Sequence, residues 1–246
     1  MFERPHHQRI ARLLAAFDGE RLKEAESYFG GGTGIVLCLN EYRESVDIDF
    51  LCASEGGYRM LRNIVGDDLG ALLRTPVKHL REVRTDRYSI RTVLEIDEMP
   101  VKVELVREAR IPISGSTTLF GVPLLSREDM FAEELLANAD RGQDRATLSR
   151  DIIDLAMMIH AWGAIPESAW GKTRKAYGEQ IDRAFQMSIK LLDDTPYLMR
   201  CLTAMKMDGA LVKAIRHALR PELKRDAVES LDTEADNDMP GTPGCG

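Results

Sequence analysis

Two short runs of strict alternation constrain this chain more than any other feature. In "SVDIDFLC" the apolar residues Val46, Ile48 and Phe50 recur at every second position, and in "PVKVELV" Val101, Val103 and Leu105 do the same. Successive side chains of a β-strand point to opposite faces, so each run buries one face and carries its charges on the other. Asp47 and Asp49 therefore share a face, as do Lys102 and Glu104. A sheet with one apolar face must be covered, and the remaining pattern supplies the cover.

Upstream, Ile10, Leu13, Leu14 and Phe17 recur at helical spacing, with Leu22 continuing the pattern into a second short helix. Tyr28-Phe29 then runs into three glycines, and "TGIVLCLNEY" predicts a buried helix. A further helix is expected over Gly57 to Val65, followed by three strand-like runs between His79 and Ala109 that read as an antiparallel meander. From Ser126 the period changes from two to that of a helix, through Phe131, Leu135 and Leu136, then Ile152, Leu155, Ile159 and Trp162, and on to about Leu223. Ser126 is a natural N-cap, with Asp129 at the acidic position of a capping box. The expected fold class is α+β, a mixed sheet flanked by helices and followed by a helical C-terminal half. The expected boundaries are 1–122 for the α/β domain, 123–225 for the helical domain, and 226–246 for a disordered acidic tail.

That tail bears on charge. The chain's formal charge of −7 argues against a polyanionic partner, but residues 226–246 hold six acids and no Lys or Arg, and without them 34 acids face 33 bases. A local basic surface is compatible with that balance. At 44% hydrophobic and 30% charged residues, with no apolar run of membrane-spanning length and no signal-like start, the chain reads as soluble and cytoplasmic. Cys38, Cys52, Cys201 and Cys245 are far apart and form no CxxC pair, which argues against a zinc knuckle or a disulfide framework. The five histidines show no metal spacing and are assigned no chemistry.

The chemistry lies with the acids and the glycines. Two carboxylates at i and i+2 of a strand project side by side, close enough to share a divalent cation such as magnesium, which favours hard oxygen ligands and retains water. Glu104 is the third carboxylate, serving a second metal or an attacking hydroxyl. Glycines let backbone N–H groups approach phosphate oxygens, and the helix beginning near Thr33 points its positive end there, with Thr33 and Ser45 as hydroxyl donors. No Lys follows the glycines as a P-loop requires, and Ile35 stands where a dinucleotide-binding fingerprint needs glycine. Arg43 reads equally as a phosphate ligand or an ion-pair partner, whereas Arg150 reads as structural. Trp170 and Tyr177, interleaved with Lys172, Arg174 and Lys175, combine charge with stacking faces in the manner of single-strand RNA contacts, or form a solvated helix surface.

In order along the chain, "GGGTGIVL", "YRESVDIDF", "VKVELVREARI", "FAEELLANADR" and "SRDIIDLAMM" resemble the nucleotidyltransferase superfamily, and within it the AbiEii/AbiGii toxin family, over residues 5 to 165. The resemblance implies a nucleotidyltransferase-like sheet, magnesium, and transfer of a nucleoside monophosphate from an NTP to a hydroxyl. It further implies the tRNA 3′ end as acceptor and an antitoxin protein as partner. It puts Gly31, Gly32 and Thr33 on the nucleotide and Ser45 on a phosphate. It puts Asp47 and Asp49 on the metal and makes Asp151 the acid of the "RD" motif, while Glu104 joins the metal and catalytic set through strand alternation alone. One position departs from the pattern: Glu134 stands where similar proteins have Lys. A carboxylate there would repel a triphosphate, so either Lys102 or Arg141 substitutes or the chain is a nucleotide-, RNA- or partner-binding module without turnover.

Overall fold

The computed structural model describes residues 2–66 and 68–221. Seven strands form one mixed sheet: β1 (Ser27–Gly30), β2 (Ile48–Cys52), β3 (Lys78–Thr85), β4 (Ser89–Ile96), β5 (Met99–Arg107), β6 (Gly115–Leu119) and β7 (Val122–Leu125), in the order β3-β4-β5-β2-β1-β7-β6. The meander β3-β4-β5 is antiparallel as expected, and β2 joins it by parallel pairing with β5. β1 pairs antiparallel with β2 and parallel with β7.

The alternation works as the sequence predicts. Val101, Val103 and Leu105 of β5, and Ile48, Phe50 and Cys52 of β2, are fully buried on one face. There α1 (Pro5–Ala16) delivers Ile10, Leu13 and Leu14, and Phe17 at its end packs on Phe50 with ring centres 5.2 Å apart. The next helix, α2 (Gly19–Glu24), is capped by Asp18, whose carboxylate accepts from the Glu20 and Arg21 N–H groups. The glycine turn leads into α3 (Gly31–Cys38), and α4 (Glu55–Ile64) follows β2.

Three local expectations change. The strand begins at Ile48, because Gly30 is the last residue of β1 and its partner is Asp49, which leaves residues 45–47 without a neighbour on that side. Val46 is consequently exposed, and Asp47 stands just ahead of the strand. β6 and β7 are strands that the sequence pattern does not reveal, and the sheet runs through the expected boundary at 122/123 to Leu125. Ser126 does cap α5 (Arg127–Arg141), accepting from Asp129 N–H, but the capping box does not close. Instead the Asp129 carboxylate accepts from the Ser126 hydroxyl and from Ser114, while Ser126 N–H donates to the Ser114 carbonyl.

The helical half continues with α6 (Arg150–Trp162), α7 (Glu167–Tyr177), α8 (Gln180–Leu191), α9 (Thr195–Ala204) and a helix over residues 212–221. Trp170 is core, edge-on to Phe185 at 5.2 Å, and Lys172 is paired with Asp129 and Glu128, so the RNA-stacking reading of this segment does not hold. The acidic stretch 226–246 lies outside the described residues. Among the described residues no helix is long and apolar enough to cross a membrane.

Candidate functional site

The sheet register assembles the acids. Asp49 and Glu104 are direct partners on parallel β2 and β5, with their side chains on the face opposite the buried valines. Asp47 and Asp49, both half-buried, line with Glu104 a cavity of about 290 Å³ that Gly31, Gly32 and Thr33 also line. Gly31 has φ +59°, the left-handed region, and a Cβ there would stand 2.8 Å from Asp49 Oδ2. Glycine is therefore required twice over, by the turn and by the carboxylate. The first N–H groups of α3 have no intrahelical acceptor and give this wall a positive end.

Burial foremost, and then the neighbouring charges of Asp47 and Glu104, push the Asp49 carboxyl up to about 6. This site concentrates negative charge that a cation would relieve. Glu104 is held by Lys102, Nζ 3.1 Å away, and by Arg91, Nε 2.9 Å away. Among the described residues no group of three or more His, Cys, Asp or Glu is arranged to hold a metal ion, so the expected three-carboxylate cluster is not formed. Asp47 and Asp49 instead fit a hard cation that completes its shell with water and phosphate oxygens.

The hydroxyls and arginines are more committed than expected. Thr33 is buried and its Oγ1 lies 2.7 Å from Ser45 Oγ. Arg43 is buried in a bidentate pair with Asp154 of α6 (2.7 and 2.5 Å), and the Tyr42 hydroxyl donates to the same carboxylate. The ion-pair reading of Arg43 is thus realised, although its guanidinium still borders the cavity beside Gly32. Asp151, also buried, holds Arg141 through two bonds of 2.9 and 2.8 Å. Arg150, expected to be structural, lines the cavity with a half-exposed side chain, as do Arg141 and Lys102. Leu148 and Ser149 just before α6 both have positive φ, and the Arg150 and Asp151 that follow them line the cavity. Glu134 of α5 lines the same wall, buried, with Oε2 lacking any hydrogen-bond partner.

One participant escapes sequence reasoning altogether. His7 of α1, fully buried, accepts the Ser45 backbone N–H at Nε2 (3.1 Å). Its proton is thereby assigned to Nδ1, which lies 2.8 Å from Glu41 Oε1 and donates to it. His7 thus pins the loop that carries Ser45 and leads to Asp47. A lone histidine in an amphipathic helix offers no signal of such a contact.

Beyond the cavity, a groove of about 850 Å³ shares Asp47 and Lys102 with it and continues over β3, β4 and β5, lined by Arg81, Arg84 and Arg91, by the acid Glu82, and by Val46, Leu80, Val93 and Pro100. Its four cations outnumber its two acids, which gives the groove a net positive lining.

Two solved structures resemble this fold. JHP933 from Helicobacter pylori aligns with a TM-score of 0.54 at 15% identity, covering 97% of this chain and all of its own. A candidate nucleotidyltransferase from H. pylori aligns with a TM-score of 0.52 at 14% identity, covering 92% of this chain and 96% of its own. At such identities the likeness is one of fold. No curated protein matches significantly. The family model described as nucleotidyl transferase AbiEii toxin, type IV TA system, matches residues 12–239. Nearly the whole chain, including the glycine turn, both acid-bearing strands and the helical half, is therefore accounted for by one family: the protein belongs to the AbiEii nucleotidyltransferase toxins of type IV toxin–antitoxin systems.

Proposed function

We propose that the protein is a magnesium-dependent nucleotidyltransferase that moves a nucleoside monophosphate from an NTP to a hydroxyl at an RNA end, with the tRNA 3′ end as the leading acceptor. The observation that carries this reading is the pairing of Asp49 with Glu104 on adjacent strands, in one cavity with Asp47 and the glycine turn that starts α3. Asp47 and Asp49 would hold magnesium, which supplies charge neutralisation at the triphosphate. Gly31, Gly32 and Thr33 present backbone N–H groups to phosphate oxygens, and Ser45 adds a hydroxyl. Glu104, steadied by Lys102 and Arg91, orients the acceptor hydroxyl and takes its proton as the oxygen bonds to the α-phosphorus and pyrophosphate leaves. Asp151 acts through Arg141, and Arg43 supports the wall beside Gly32. The basic groove supports an RNA acceptor. The site of action is the cytoplasm, and the family implies an antitoxin partner.

The test is incubation with magnesium, each labelled NTP in turn and total cellular RNA. Label should pass to RNA, and Asp49→Ala should reduce transfer by about a hundredfold or more. Unchanged transfer by Asp49→Ala would refute the assignment. Glu134 in the pocket wall motivates a second reading, a nucleotide-, RNA- or partner-binding module without turnover. That reading predicts Mg-NTP binding and no transfer with any nucleotide.

A further inference from the structure

Glu134 invites a closer accounting of charge. The groups facing it come from each neighbouring segment: Tyr42 and Arg43 from the stretch after α3, Asp151 and Asp154 from α6, and Arg141 from its own helix. Each arginine is already taken. Arg43 is bidentate on Asp154, and Arg141 is bidentate on Asp151. Two buried aspartates are thus balanced by two arginines, and a third carboxylate would be buried without a counter-charge. A buried group in that position sheds its charge by keeping its proton. Consistent with this, burial, followed by Asp154 and Asp151, holds the Glu134 carboxyl well above the usual range, against the smaller pull of Arg43 and Arg141.

We propose that Glu134 serves the pocket as a proton-bearing carboxyl, a neutral hydrogen-bond donor to a phosphate oxygen of the bound nucleotide. Ionised phosphate oxygens accept and do not donate, so a protonated carboxyl is complementary to them where a carboxylate is not. Oε2 is sealed in the wall without a partner, which leaves Oε1 to face the cavity and to donate to the phosphate. The acid at this position then neither repels the triphosphate nor marks a dead site. This rests on the nucleotidyltransferase reading above for the identity of the ligand, but not for the protonation state.

Two measurements test it. An infrared difference spectrum at neutral pH, wild type minus Glu134→Gln, should show the C=O stretch of a carboxylic acid, and absence of that band overturns the proposal. Calorimetry with magnesium tripolyphosphate and with each Mg-NTP, from neutral to alkaline pH, should show wild-type affinity falling about tenfold per pH unit once the carboxyl ionises. Glu134→Gln keeps a donor but no titratable proton, so its affinity should stay flat over that range. Wild-type binding that is as flat as the variant's, or no binding of either probe, overturns the donor role even if the band is present. RNA labelling measured in parallel separates this from the enzymatic reading. A pH slope without transfer upholds the donor and refutes turnover, and transfer with flat binding does the reverse.

Discussion

His7 illustrates how much of this site hangs on single contacts made across the chain. Burial holds its imidazole below the ordinary value, outweighing the pull of Glu41, and the neutral ring accepts the Ser45 N–H. The folded state therefore binds the proton less readily than the unfolded chain. Stability is complete above the usual histidine pKa of 6.5 and falls as the pH drops below it. Denaturant melts of wild type and His7→Gln across this range should show the acid-side loss in the first and a flatter profile in the second. At neutral pH, His7→Ala should cost about 1–3 kcal/mol, because the Ser45 N–H and the Glu41 carboxylate both lose a buried partner. Glu104, Asp49 and the glycines could be chosen from residue type and spacing alone. His7 could not, nor could the partners of Arg43 and Arg141, which lie 111 and 10 residues away and are selected by helix packing.

Among the elements, the turn from β1 into α3 is the most demanding. Gly31→Ala must hold alanine at φ +59° with its Cβ against Asp49 Oδ2, which should lower stability by about 1–2 kcal/mol and displace the carboxylate. Gly34→Ala is the matched control within the same helix, since the nearest atom to its added Cβ is 3.8 Å away, and it should be neutral or stabilising by up to about 1 kcal/mol. Thermal melts together with Mg-NTP calorimetry separate the two: only Gly31→Ala should lose binding. The acid-bearing strands and α5 were legible because amphipathic period is a local property. The short strands β6 and β7 were not, because β7 is buried on both faces and shows no alternation, and β6 is exposed.

For the whole molecule, the face of β3-β4-β5 makes the acid-lined cavity continuous with a groove of net positive lining, although the chain as a whole is acidic. Replacing Arg81 and Arg84 together by Ala should weaken RNA binding and reduce the salt dependence of log K by about 1.4, the contribution of two phosphate contacts to a single strand, while leaving Mg-NTP affinity intact. Filter binding over a salt series checks this. An equal loss of nucleotide binding would show that the groove and the pocket are not separate surfaces.

From its residues alone, this sequence determines a one-sided sheet, a glycine-initiated helix, and acids displayed on the open faces of two strands. Each of these follows from repeat period and side-chain size, which act over a few neighbouring positions. Only the tertiary structure decides that Asp49 meets Glu104, that Arg43 is spent on Asp154, that His7 holds Ser45, and that Glu134 is buried without a counter-charge. Those outcomes depend on which distant segments pack together and on how much water the packing removes, and both set the charge a group can bear.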